Sequence, residues 1–202
     1  MKLIILDRDG TLNEDRDDYV KSADEWVPIP GALEAVARLN HAGWHVVIAT
    51  NQSGLGRGLF DMAALNAMHT KMNSLLHKLG GRIDAVFFCP HTPADACTCR
   101  KPLPGLFELI GERYGVNLRR VPMLGDSLRD LQAGVAVGCE PHLVRTGKYG
   151  HYDAAKIARL HQMVPGTQVH ADLGAFAEAI IQREREARGE TGESDSGYGR
   201  LT

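Results

Sequence analysis

The stretch KLIILDRDGT, residues 2–11, joins a short apolar run to a burst of charge. Leu3 to Leu6 are uninterrupted branched aliphatics, then Asp7, Arg8 and Asp9 follow, and Gly10 permits a sharp turn. An apolar run of this length without polar alternation reads as a strand covered on both faces, the kind found in parallel sheets. The charged residues then stand at the strand's carboxyl end, where open α/β sheets bind ligands.

The same grammar recurs along the chain. HVVIA (45–49) runs into TNQSG, IDAVFF (83–88) is followed at a distance by CRKP, VPML (121–124) runs into GDSLRD, and PHLV (141–144) forms a fifth run. Between the strands lie helical patterns. The clearest spans 61–79, where Met62, Leu65, Met68, Met72, Leu75, Leu76 and Leu79 repeat every three to four residues behind Asp61 as N-cap. A last helix is expected over 175–188. Alternation of this kind predicts a three-layer, Rossmann-like α/β fold: a parallel sheet with helices on both faces. Residues 1–188 are expected to form one domain, with no insertion between the motifs long enough for a separate cap domain. Residues 189–202, GETGESDSGYGRLT, are poor in large apolar groups and are expected to be a disordered tail.

Composition narrows the classes. A formal net charge of −2 provides no basic footprint for nucleic acid, which needs clustered positive charge. The apolar run at the N-terminus is too short for a signal peptide or a membrane span. The expected setting is the cytoplasm, where thiols stay reduced, and the expected state is a monomer.

Four polar clusters following four strands would converge on one crevice. Asp7 and Asp9 in an extended segment would share a face, and like charges so close call for a cation. Asp126 adds another hard oxygen, and Asp130 lies one helical turn further on the same side. Such a set suits Mg²⁺, which prefers oxygen ligands and retains water. Magnesium implies phosphate chemistry: a carboxylate can attack phosphorus while Lys101 and the Thr50 hydroxyl hold the transferring oxygens.

Residues 89–102, CPHTPADACTCRKP, hold three of the four cysteines. Cys89, His91, Cys97 and Cys99 offer three thiolates and one imidazole, the ligand set of a closed structural Zn²⁺ site. A disulfide, or four unrelated loop residues, are the alternatives. Zinc would pin the loop (89–101) that carries Arg100 and Lys101. Cys139 reads as a small buried residue, and the remaining histidines, His69 among them, as ordinary surface or core residues.

The ordered series DRDGT, TNQ, RKP and GDSLRD resembles the haloacid dehalogenase superfamily of phosphatases over about residues 1–145. By that resemblance Asp7 is the nucleophile, Asp9 the general acid and base, and Thr50 and Lys101 stabilise the phosphoryl group. The side chains of Asp7 and Asp126, with the main-chain carbonyl of Asp9, would bind Mg²⁺, and Asp130 would support that shell. The zinc-type loop is similar to that of two groups within the superfamily. One removes the C7 phosphate of a heptose 1,7-bisphosphate in lipopolysaccharide precursor synthesis, and the other hydrolyses histidinol phosphate. The segments ATNQSGLGRGLF and LVRTGKYG favour the first, and the short gap between His91 and Cys97 favours the second. The resemblance also implies substrate contacts from Asn51, Gln52, Ser53 and Arg100, with Asp15 and Tyr19 on the wall formed by residues 13–31. A zinc-organised binding module without catalysis, or phosphoryl transfer to another sugar hydroxyl, are the remaining readings.

Overall fold

In the computed structural model, residues 1–147, 150 and 152–189 are described; the expected tail lies outside them apart from Gly189. Six strands form one parallel sheet: β1 (Leu3–Leu6), β2 (His45–Asn51), β3 (Ala85–Cys89), β4 (Pro122–Gly125), β5 (Glu140–Val144) and β6 (Gln168–His170). The helices are α1 (Ala32–His41), α2 (Ser53–Gly56), α3 (Met62–Lys78), α4 (Gly105–Tyr114), α5 (Leu128–Ala136), α6 (Ala154–Met163) and α7 (Leu173–Ala187).

The spatial order is β3-β2-β1-β4-β5-β6. The chain therefore builds outward from β1 in one direction, then returns to its other side and builds outward again. Where the order reverses, between β1 and β4, connections leave the sheet in opposite directions and open a crevice at the strands' carboxyl ends. The Asp7 amide donates to the Leu124 carbonyl at 2.8 Å, closing β1 onto β4 where that crevice begins.

Period-two alternation assigns each strand residue to a layer. Ile4, Leu6, Val46, Ile48, Leu124 and Val144 face α1, α3 and α7. Leu3, Ile5, Val47, Ala49, Met123 and Leu143 face α4, α5 and α6. Burying each such Leu or Ile side chain is worth roughly 1.5–3 kcal/mol, so the two-sided sheet is the main store of stability. The helix expected over 61–79 is α3, and the Asp61 carboxylate accepts from the Ala64 amide at 2.8 Å, as an N-cap should. The last helix begins two residues earlier than the pattern suggested, because Asp172 caps it through the Ala175 amide. Strand β6 was not anticipated; it is a short edge strand with partly exposed side chains. Among the described residues no helix is long and apolar enough to cross a membrane.

Candidate active site

The crevice is a cleft of about 230 Å³ that gathers residues from every polar cluster: Asp7 and Asp9 after β1, Thr50 to Ser53 at the end of β2, Arg100 and Lys101 after β3, and Asp126, Ser127, Arg129 and Asp130 after β4. Asp15 and Tyr19 line it as well. Each residue expected at the substrate, nucleophile or phosphoryl positions therefore reaches this one space.

At its floor the buried Lys101 ammonium donates to Asp7 Oδ1 at 2.8 Å and to the Ala49 carbonyl at 2.7 Å, and pairs with Asp130 Oδ1 at 2.6 Å. Burial disfavours its charge, but Asp130 and Asp7 outweigh that and raise its pKa. The other Asp130 oxygen accepts from the Ser127 amide and hydroxyl at 3.0 and 2.7 Å, completing a capping box that fixes the start of α5. One carboxylate thus joins the helix cap to the lysine.

Asp7, Asp126 and Asp130 bring a carboxylate oxygen each within 4.8 Å of one another. Three acids sharing one lysine leave excess negative charge in a buried place. Burial, then Asp130, push Asp7 up to about 7 against the pull of Lys101. Burial, then Asp130, Asp7 and Asp15, push Asp126 up to about 9. An all-oxygen donor set with surplus negative charge fits a hard divalent cation such as Mg²⁺. Two glycines leave room for the Asp126 carboxylate: a methyl group on Gly10, whose φ is +80°, or on Gly147 would collide with it.

Asp9 shares the cleft with Asp7, as expected, but its carboxylate is not one of the close group: the third carboxylate beside Asp7 and Asp126 is Asp130. The chain leaves the extended conformation after β1, and Asp9 makes a bridge with Asn13. Its oxygens accept from Arg8 at 3.0 and 3.1 Å, Asn13 at 2.9 Å and Gln52 at 2.8 Å. Burial works to raise the Asp9 pKa, and Arg8 with these hydrogen bonds more than offsets it, leaving the group below its ordinary value.

Asn51 and Gln52 line the cleft but spend their amides on protein. Asn51 Nδ2 donates to the Lys101 carbonyl and its Oδ1 accepts from the Lys101 amide, both at 3.0 Å, so it clamps the β3 loop to β2. Gln52 donates to Asp9 and, at 2.9 Å, to Thr50 Oγ1, and accepts from Arg8 at 3.2 Å. Ser53, Arg100, Asp15 and Tyr19 remain as cleft lining. Tyr19 sits at φ +68°, a left-handed conformation that a bulky residue holds only under surrounding constraint.

Behind the cleft, Cys89, His91, Cys97 and Cys99 place their ligand atoms within 4.8 Å of one another. Cys89 Sγ lies 3.4 Å from His91 Nδ1 and 3.9 Å from Cys97 Sγ, and His91 Nδ1 lies 3.3 Å from Cys99 Sγ. A tetrahedron with Zn–S of about 2.3 Å needs sulfurs about 3.8 Å apart, so the cluster fits zinc. Burial pushes the Cys89 thiol up to about 12, and a bound metal would supply the charge that makes it a thiolate. Four protein ligands leave no open position for substrate. Arg100 Nη1 also donates to the His91 carbonyl at 3.3 Å, tying one of the cleft's arginines to the cluster.

Sequence reasoning missed Arg8, Asn13, Ser127 and Arg129. Arg8 is wholly buried, whereas an arginine after a strand suggests solvent. Ser127 followed three residues on by Asp130 was a readable capping signal.

A family model described as haloacid dehalogenase-like hydrolase matches residues 13–138. The chain belongs to this family. It is 56% identical over 182 residues, covering 90% of this chain and 99% of the relative, to D-glycero-beta-D-manno-heptose-1,7-bisphosphate 7-phosphatase of Bordetella bronchiseptica. The protein of the same name from Pseudomonas aeruginosa is 49% identical, with 89% of this chain and 98% of the relative covered. A crystal structure of the B. bronchiseptica D,D-heptose 1,7-bisphosphate phosphatase complexed with magnesium and phosphate superposes with a TM-score of 0.85, covering 91% of this chain and 99% of the other. As a member of the family this chain is a phosphatase with the Rossmann-type sheet of the haloacid dehalogenase fold.

Proposed function

We propose that the chain is a Mg²⁺-dependent phosphatase that removes the C7 phosphate of D-glycero-β-D-manno-heptose 1,7-bisphosphate, leaving heptose 1-phosphate for nucleotide-activated heptose and the lipopolysaccharide core. The observation that carries the chemistry is the buried Lys101 ammonium held between Asp7 and Asp130 at the point where the sheet order reverses. The substrate follows from relatives that bear this name across nine-tenths of the chain.

Asp7 Oδ attacks phosphorus, and the phosphorus–oxygen bond to C7 breaks as Asp9 protonates the leaving sugar oxygen. Asp9 then takes a proton from water, whose oxygen attacks the aspartyl-phosphate and releases inorganic phosphate. Lys101 and the Thr50 hydroxyl hold the transferring oxygens. Asp7 and Asp126, with the Asp9 main-chain carbonyl, would hold Mg²⁺, with Asp130 behind them. When bound, the ion neutralises the carboxylates and the charge on the phosphoryl oxygens. Docked on Arg8, Asp9 is in the carboxylate form that activates water; a phosphate entering the cleft raises its pKa toward the acid form the first step needs.

The Cys89, His91, Cys97 and Cys99 cluster would hold zinc for a mechanical end, fixing Arg100 and Lys101 against the phosphate. Arg100, Ser53, Asp15 and Tyr19 would meet the sugar and its second phosphate. The cleft is complete within one chain, so a monomer suffices for the reaction, and a cysteine and histidine set spaced for a metal suits the reducing cytoplasm.

The test compares kcat/KM for the α and β anomers of the heptose bisphosphate and for L-histidinol phosphate on one zinc-loaded preparation with Mg²⁺. A preference for the β heptose bisphosphate, with phosphorus NMR showing loss at C7 only, is the expected result. A preference for histidinol phosphate would keep the site assignments and overturn the substrate.

A further inference from the structure

Arg8 is 0% exposed, and all three of its guanidinium nitrogens are engaged. Nε and Nη2 face Asp9 at 3.3 and 3.0 Å, and Nη2 also meets Gln52 Oε1 at 3.2 Å. On the far edge, Nη1 lies 3.2 Å from His69 Nε2 and 3.9 Å from Met68 Sδ. His69 stands on α3 and does not line the cleft. The buried side chains of Met68 and Met72 lock the rotation of that helix, and so the direction in which His69 points.

A guanidinium has only donors. At the contact with Arg8, His69 Nε2 must therefore be the acceptor, which makes the imidazole neutral with its proton on Nδ1. Burial, then the Arg8 charge, hold the His69 pKa down to about 4, so the neutral ring persists through the neutral pH range. Without that acceptor a buried N–H of Arg8 is left unpaired, and the guanidinium gains by rotating away from its present plane. Its other edge carries the Asp9 carboxylate, so Asp9 would move with it.

We propose that His69 is a positioning residue for Asp9, acting through Arg8: the imidazole lone pair sets the plane of the guanidinium, and the guanidinium aims the carboxylate at the leaving oxygen. This rests on the reading of Asp9 as general acid. It predicts a defect that depends on the leaving group, because an alkoxide needs a proton and a nitrophenolate does not.

The experiment measures kcat/KM, which reports transfer of the phosphoryl group to Asp7, for the heptose bisphosphate and for p-nitrophenyl phosphate. His69→Leu, His69→Gln and Asp9→Asn are compared with the unaltered protein. Asp9→Asn is expected to lose the sugar phosphate far more than the aryl phosphate. His69→Leu should reproduce the split at smaller scale, losing about tenfold on the sugar phosphate, the worth of one hydrogen bond to a charged group, and little on the aryl ester. His69→Gln, whose amide oxygen can accept from Arg8, should recover most of the loss. Equal losses on both substrates in His69→Leu, or a His69→Gln variant no better than His69→Leu, would overturn the inference. An Asp9→Asn variant without the split would instead overturn the general-acid reading beneath it.

Discussion

Removing the Asn51 amide with Asn51→Ala separates a clamp from a substrate contact. Two reciprocal hydrogen bonds of 3.0 Å join this side chain to the main chain of Lys101, a residue only 2% exposed. Their loss, with a buried Lys101 N–H left unpaired, costs about 2 kcal/mol. For a chain of this size that lowers Tm by about 4–8 °C. The loop would then carry the Lys101 ammonium off its place between Asp7 and Asp130. A displacement of about 1 Å in such a group costs on the order of a hundredfold in rate. Steady-state kinetics on the heptose bisphosphate should show kcat falling by ten- to a hundredfold, as about 1.4 kcal/mol per tenfold allows, with KM changed little. A substrate contact behaves in the opposite way: KM rises while kcat and Tm stay where they were. That second pattern would refute the clamp.

Replacing the zinc-cluster ligand in Cys97→Ser should release bound zinc, measured by metal analysis, and lower kcat together with Tm. Zinc loss at unchanged kcat would contradict the mechanical role. Asp7→Asn should abolish turnover yet raise Tm in Mg²⁺-free buffer, because it removes one of three crowded carboxylates; a drop of several degrees would contradict the account of that crowding. At the other end of the sheet, burial and then His142 hold His170 down to about 4, and its Nε2 lies 2.9 Å from His142 Nδ1 against Phe176, with Glu140, Arg183 and Gln168 close by. The unfolded chain takes up that proton first, so its contribution to stability is complete above about pH 6.5 and is lost as pH falls toward 4. Replacing it in His170→Gln should flatten Tm against pH across that window, and an unaltered slope would exclude His170 as the cause.

Much of the architecture was legible because the signals are local. Buried parallel strands read as apolar runs whatever their neighbours, so β1, β2, β4 and β5 lie where the runs do, and the cysteine and histidine spacing of residues 89–99 is a signal within one loop. Strand β6 was not legible: three partly exposed residues at a sheet edge carry no pattern to detect. The cleft's residues were found, but their partners were not. Whether Asn51 faces substrate or Lys101, and whether Asp9 faces Asp7 or Arg8, depends on which loops meet after folding, and residue types alone do not encode that. The buried Arg8 and its contact with His69 follow from packing α3 against the end of β1, a long-range event invisible in either segment.

The central claim is that phosphate passes through a covalent bond to Asp7. Rapid quench of the enzyme turning over the heptose bisphosphate with Mg²⁺, followed by borohydride reduction and peptide mass spectrometry, tests it directly. The account predicts homoserine at position 7, the reduction product of an acyl phosphate, and only in samples quenched during turnover. Modification at Asp9 or Asp126, or at no carboxylate while phosphate is being released, would contradict it.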